Sequence, residues 1–184
     1  MSTKSLDGIR KKVVSCTKCD LCHDRINSVP GKGTKDSKII FIGEAPGRSE
    51  DRQGEPFVGA AGKKLSIALE YAGISRDSIY ITNVVKCRPP NNRVPTQVEQ
   101  DACSEYLKAE IALIKPKVIC IMGNTAFNSL LGGNNITKNR GKIVTRDGMR
   151  YFLTVHPAAA IYNQELLEVL KEDMKKLVQI ISDI

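Results

Sequence analysis

No apolar run in this chain approaches the roughly 20 residues that a helix needs to cross a bilayer. The opening residues, MSTKSLDGIRKKVV, lack the continuous hydrophobic stretch of an export signal. These two absences lead to the expectation of a soluble, cytoplasmic protein. Histidine is scarce, with only His23 and His156. Several catalytic signatures are missing as well. Gly62-Lys63 hints at a phosphate-binding loop, but Phe57 stands where the earlier glycine should be and Lys64 where Ser or Thr should follow. Gly141-Lys142 fails in the same way, with Ile136 and Ile143. There is no H-E-x-x-H and no G-x-S-x-G. A nucleoside triphosphatase, a zinc peptidase of that type and an α/β-hydrolase are therefore disfavoured. No linker and no internal repeat interrupts the chain, so residues 1–184 read as a single domain.

What is present is a chain of 184 residues, 41% hydrophobic, which is enough for a sizeable core. The formal net charge is +8, which fits either an ordinary basic protein or one with a polyanionic partner, most commonly nucleic acid. The positive charge is dispersed, with clusters at Arg10-Lys11-Lys12 and between Lys138 and Arg150, as suits a folded surface that follows a phosphate backbone.

The pattern alternates between strands and helices. A short basic amphipathic helix is expected over 3–15, and a Pro- and Gly-containing loop over 23–37. Strands are expected at 38–43, 78–85, 118–122, 142–146 and 151–155, the last two joined by a turn at Arg146-Asp147-Gly148. Helices are expected over 60–72, from a Thr96/Glu99 capping box to Ile114, from Asn124 to Gly132, and from Gln164 to the C-terminus. Repeated β-α-β units imply an α/β fold with a parallel sheet between helical layers. In such sheets ligands bind at the carboxyl edge of the strands. Gly43-Glu44, Asn83 and His156 all end strands, so they should converge on that edge beside Phe57, which stands alone in a polar loop.

The cysteines form a second constellation. With no export signal, metal is the better reading than disulfides. Cys16-x2-Cys19 and Cys87-x15-Cys103 are two separated pairs, and four thiolates suit a structural zinc or a [4Fe–4S] cluster equally well. Unrelated free thiols remain the bland alternative. Cys22 extends the first pair, but the ferredoxin-type run stops there because position 26 is Ile26. It is either a spare thiol or an alternative ligand. Cys120 lies in an apolar strand and reads as core.

Taken together, Gly43-Glu44-Ala45-Pro46-Gly47, Glu55-Pro56-Phe57-Val58-Gly59-x2-Gly62, Thr82-Asn83-Val84-Val85-Lys86-Cys87-Arg88-Pro89-Pro90 and His156-Pro157-Ala158 closely resemble the family 4 uracil-DNA glycosylases, iron–sulfur enzymes of prokaryotes. The segments occur in the right order and span nearly the whole chain. The resemblance implies a three-layer α/β/α sandwich around a four-stranded parallel sheet. It implies a [4Fe–4S] cluster on Cys16, Cys19, Cys87 and Cys103, with a structural role and with the N-terminal cysteine segment folded against the domain. It implies removal of uracil from single- or double-stranded DNA by hydrolysis, leaving an abasic site, in a monomeric protein associated with the nucleoid. A sliding-clamp partner is not legible.

The residue roles also follow from the resemblance. Phe57 would stack on the flipped base, Asn83 would read its edge and His156 would stabilise the departing uracil at O2. The backbone from Gly43 to Ala45 would contact the base. Glu44 would either help to position water or only shape the pocket, because Ala45 stands where related glycosylases carry an aspartate. Ile161 is the expected wedge in the duplex. Arg48, Arg88, Arg93 and the Lys138–Arg150 stretch are candidates for phosphate contacts. Ala45 also motivates an alternative, a non-catalytic iron–sulfur DNA-binding protein. A redox protein is a weaker reading, because no second cofactor fingerprint is present.

Overall fold

Side chains alternate across the strand at residues 39–43, and this alternation organises both faces of the molecule. Ile40 and Ile42 pack on one side, in a core shared with Ile9, Val13, Tyr106, Leu107 and Phe127. Ile39 and Phe41 pack on the other, with Leu65, Leu69, Leu170, Met174 and Leu177. All five residues of the strand are buried, as a strand covered on both faces should be.

A computed structural model describes residues 5–182. In chain order the elements are helices α1 (Leu6–Val14) and α2 (Leu21–Asp24), strand β1 (Ile39–Gly43), helices α3 (Arg48–Gln53) and α4 (Ala60–Tyr71), β2 (Tyr80–Asn83), α5 (Gln97–Ile114), β3 (Val118–Met122), α6 (Asn124–Leu131), α7 (Ile136–Asn139), β4 (Ile143–Arg146), β5 (Met149–Thr154) and α8 (Gln164–Ser182). Residues 3–4 of the expected first helix and residues 183–184 of the expected last one lie outside the described residues. Helices α1, α5 and α6 cover one face of the sheet, and α4 and α8 cover the other. This is the three-layer α/β/α sandwich.

The sheet has five strands in the order β2-β1-β3-β5-β4. The expected four-stranded parallel sheet corresponds to β2, β1, β3 and β5. The fifth strand, β4, is an antiparallel edge paired to β5. It folds back through Asp147 and Gly148, whose φ angles of 51° and 76° are the two positive values a tight primed hairpin turn requires. Two segments expected as loop are helical. The polar stretch after Gly47 contains α3, which closes on left-handed Gly54, and the basic loop before β4 contains α7, where the Asn135 side chain accepts from Lys138 N–H. The capping box at the start of α5 is present: Glu99 N–H donates to Thr96 Oγ1 at 3.3 Å and Thr96 N–H to Glu99 Oε2 at 2.7 Å.

One buried ion pair joins the segment just after β2 to α5. Lys86 and Glu110 have side chains 1% and 0% exposed and lie 2.7 Å apart. Glu110 also accepts from Tyr80 O–H at 3.1 Å, Thr82 O–H at 3.1 Å and Gly31 N–H at 3.2 Å. These donors account for the roughly four lone-pair directions of a carboxylate. Lys86 spends a further donor on the Asn83 carbonyl at 3.0 Å. Removing one partner of such a pair strands a charge in the core. Lys86→Met is therefore expected to cost about 3–5 kcal/mol in chemical denaturation, and a loss below about 1 kcal/mol would show that the pair does not hold these elements together.

Candidate active site

Strand β1 lies between β2 and β3, and the chain leaves it first to one side and then to the other. This makes a topological switch point, where open α/β sheets bind ligands beyond the carboxyl ends of their strands. A cavity of about 670 Å³ occupies that place, lined among others by Glu44, Ala45, Phe57, Asn83, Thr125 and His156. Its size is that of a small-molecule site. The residues expected at the strand ends do converge. Gly43 pairs with Asn83 across β1 and β2, and His156 follows the end of β5.

Among the described residues, three buried side-chain polar atoms have no hydrogen-bond partner: Asn83 Oδ1, His156 Nε2 and Gln100 Oε1. The first two belong to this cavity. Buried polar groups are normally paired, so an orphan acceptor and an orphan donor in one pocket indicate groups reserved for a ligand. The histidine tautomer follows from its other nitrogen. His156 Nδ1 accepts from Ala158 N–H at 3.2 Å, so the neutral ring carries its proton on Nε2. Burial pushes the imidazole down to about 4, with Glu50 opposing that shift, so the ring is neutral at physiological pH.

Phe57 is buried, belongs to the α4/α8-side core and also lines the cavity. Its ring centroid lies 5.9 Å from that of His156. Gly43 makes the close approach possible, because a Cβ there would fall 2.6 Å from both Asn83 Oδ1 and Phe57 Cζ. Phe57 has a φ of 54°. For a bulky residue this left-handed conformation costs about 1–3 kcal/mol and persists only where the surroundings impose it.

Two functional groups were not visible in the sequence. Thr125, at the start of α6, donates a short hydrogen bond to Glu44 Oε2 and so fixes that carboxylate. Glu50 accepts from Gly47 N–H at 3.1 Å and Gly59 N–H at 2.7 Å, tying the loop after β1 to the loop before α4. The Glu50–Gly47 bond has the spacing of a helix capping box, but Thr125 meets Glu44 only through strand order. Ala45 and the half-buried Ile161 line the cavity, the latter just beyond the turn at Pro157–Ala160. Tyr162 beside it is 96% exposed.

The basic residues divide. Arg48 and Arg93 line the cavity, with Arg93 held by both oxygens of Glu99 at 2.8 and 2.6 Å. Arg88 donates to Asn92 at 2.7 Å. The Lys138–Arg150 stretch does not act as one surface. Arg140 is bound to the buried Asp173 carboxylate at 2.8 Å. Arg146 and Arg150 sit by the hairpin turn, at the end of β5 opposite to His156. Five or six residues of strand separate them from the pocket, roughly 15–20 Å.

The four expected ligands Cys16, Cys19, Cys87 and Cys103 line one small cavity beneath α1 and α5, and Cys22 lines it too. Cys120 is elsewhere, fully buried in the α4/α8-side core as expected. Arg25 Nη1 donates to Cys87 Sγ at 3.1 Å and Lys86 N–H to Cys103 Sγ at 3.4 Å. Burial pushes the Cys103 thiol up to about 11, so it stays protonated unless bound cations take the place of its proton. Among the described residues, no three His, Cys, Asp or Glu side chains converge on a point where a single metal ion would sit.

Residues 30–181 match the family model described as the uracil DNA glycosylase superfamily. The chain belongs to that superfamily. It is 48% identical over 183 residues to a type-4 uracil-DNA glycosylase of Sulfurisphaera tokodaii, covering 94% of this chain and 83% of that one. It is 45% identical to a type-4 uracil-DNA glycosylase of Archaeoglobus fulgidus, covering 95% and 92%. A type-4 uracil-DNA glycosylase of Thermotoga maritima is 43% identical over 93% of this chain and 92% of its own. The family named by the sequence motifs is thus the one these similarities give, and the superfamily's sheet edge carries the cavity described above.

The neutral, half-buried His156, whose Nε2 is shut off from solvent, has a consequence for stability. Its folded pKa, about 4, lies below the ordinary value near 6.5. Above pH 6.5 it is neutral in both folded and unfolded chains and contributes no pH dependence. Between 6.5 and 4 the unfolded chain takes up the proton and the folded one does not, so stability falls as the pH falls. At pH 5 the loss is on the order of 2 kcal/mol. Denaturation midpoints measured from pH 7.5 to 4.5 should decline more steeply for the native chain than for His156→Asn. Parallel declines would mean that the ring is not held neutral.

Proposed function

We propose that this chain is a monofunctional uracil-DNA glycosylase, which flips uracil out of DNA and hydrolyses its N-glycosidic bond to leave an abasic site. One observation carries the reading: an orphan acceptor on Asn83 and an orphan donor on His156 face one cavity beside the ring of Phe57.

The chemistry follows from those groups. The flipped base stacks on Phe57, an interaction worth about 1–3 kcal/mol. Asn83 Oδ1 accepts from uracil N3–H, and its amide donates to O4. Cytosine reverses both partners and would leave buried polar groups opposed, at a cost of about 1–3 kcal/mol each. As the C1′–N1 bond breaks, negative charge develops on the base. His156 Nε2–H, held in that tautomer by Ala158, donates to O2, where the charge grows, and so stabilises the transition state more than the ground state. Water attacks C1′ from the opposite side. Glu44 is the carboxylate assigned to orient it: Thr125 fixes its Oε2, Ala45 supplies no carboxylate, and Glu50 ties two loop N–H groups together. Ile161, on the cavity rim, fills the gap left in the base stack.

The substrate is uracil-containing DNA, single- or double-stranded, and the net charge of +8 supports a polyanionic partner. Cys16, Cys19, Cys87 and Cys103 would hold a [4Fe–4S] cluster. Bound there, it would tie the N-terminal segment to the loop after β2 and to α5 as a structural cross-link. Arg25 and the Lys86 N–H would hydrogen-bond its ligand sulfurs.

A labelled uracil-containing oligonucleotide, treated with the protein and then with alkali, should break at the uracil, and no scission over a wide range of protein concentration would overturn the reading. Phe57→Ala should lower the rate about tenfold to a hundredfold, and His156→Ala about a hundredfold to a thousandfold. Anaerobically purified protein should contain iron and acid-labile sulfide, whereas stoichiometric zinc without iron would replace the cluster with a zinc site.

A further inference from the structure

Phe57 is an aromatic residue in a backbone conformation that aromatic residues avoid, and something must impose it. The group that does so lies behind the loop. Arg76 stands in the short turn Arg76–Ser78 that leads into β2. Its guanidinium donates through Nη2 to Phe57 O at 2.6 Å and Pro56 O at 3.1 Å. Through Nη1 it donates to Ser66 Oγ at 2.9 Å and Gly62 O at 3.5 Å. One planar fork thus gathers two successive carbonyls of the loop and two acceptors from α4. A lysine ammonium would not reproduce that geometry. Gly62 completes the clamp, since a Cβ there would fall 1.8 Å from Phe57 O.

Arg76 lines a separate groove on the reverse side of the loop, together with Phe57, Gly62 and Ser66, and is not part of the lining of the base pocket. It therefore does not touch the substrate. We propose that Arg76 is a positioning residue for base recognition, which holds the Phe57 backbone left-handed from behind so that the ring faces the flipped base. The inference rests on the proposed glycosylase reading. The loop then presents Phe57 already in place, so stacking does not have to supply the ordering of the loop.

The test is a double-mutant cycle on the cluster-containing full chain, with Arg76→Met, Phe57→Ala and the double variant. Arg76→Met should reduce kcat/KM for uracil release by about tenfold to a hundredfold, the range set by loss of one base-aromatic stack. In the Phe57→Ala background the same change should cost less than about twofold. A second reading separates positioning from general damage. Inhibition by free uracil should weaken with Arg76→Met by the same factor as kcat/KM, while affinity for an abasic-site oligonucleotide stays constant.

Equal fold-losses in both backgrounds would overturn the inference, as would parallel weakening towards uracil and abasic DNA, or full activity of Arg76→Met. Should Arg76→Met not fold, Arg76→Lys keeps the charge and one donor. It is expected to give an intermediate loss that again vanishes with Phe57→Ala. The native chain run alongside keeps the two ideas apart: if it releases no uracil, the glycosylase reading fails, and if it is active while the cycle is additive, only the role of Arg76 fails.

Discussion

Strands β1 and β2 run side by side with Gly43 opposite Asn83, and the ladder continues past both strands through Val84 N–H to Gly43 O at 2.9 Å and Val85 N–H to Glu44 O at 3.2 Å. That register sets how the pocket is built. Because position 43 has no Cβ, the Phe57 ring and the Asn83 amide can both close on the strand end. The ring can take that place only if its backbone turns left-handed. That in turn requires Gly62 and the fork of Arg76 behind it. A methyl group at the strand tip would fall against both the Phe57 ring and the Asn83 amide.

The fold holds two kinds of buried polar group. Inside the core, Glu110 is saturated by Lys86, Thr82, Tyr80 and Gly31. At the edge, Asn83 Oδ1 and His156 Nε2 are left without partners. The contrast gives the unpaired atoms their meaning. A chain that satisfies a wholly buried carboxylate so fully has left these two atoms open where a base edge would supply the missing donor and acceptor. Lys86 connects the two regions, since its ammonium holds the Asn83 carbonyl while its own N–H meets Cys103 Sγ. The cysteine cavity and the base-reading strand end therefore share one short stretch of chain.

Much of the architecture was legible in local pattern. The strand at 118–122 and the Thr96/Glu99 cap depend on neighbours close in sequence, and both are found as expected. Helix α3 escaped notice because it is short and polar, with no apolar face to set a period. The antiparallel edge strand was visible as a hairpin, but a parallel four-stranded count left it out of the sheet. The basic stretch from Lys138 to Arg150 looked continuous because charge along a chain says nothing of direction. Once β5 is placed parallel to β3, half of it points away from the pocket.

The sequence by itself determined the alternation of strands and helices, the motifs that mark the superfamily, and the side chains Phe57, Asn83, His156 and Glu44 as pocket residues. Periodicity, turn chemistry and residue type are local properties, and a strand end can be recognised where it occurs. Tertiary structure alone decided what holds those side chains. Thr125 reaches Glu44 because β3 lies beside β1, Glu50 bridges two loops, and Arg76 reaches back 19 residues to Phe57. It also decided that Cys22 shares the cavity of the other four cysteines. The contacts of Thr125 with Glu44 and of Arg76 with Phe57 are meetings between segments distant along the chain. No spacing encodes them, because they depend on strand order and register rather than on the period of a single element.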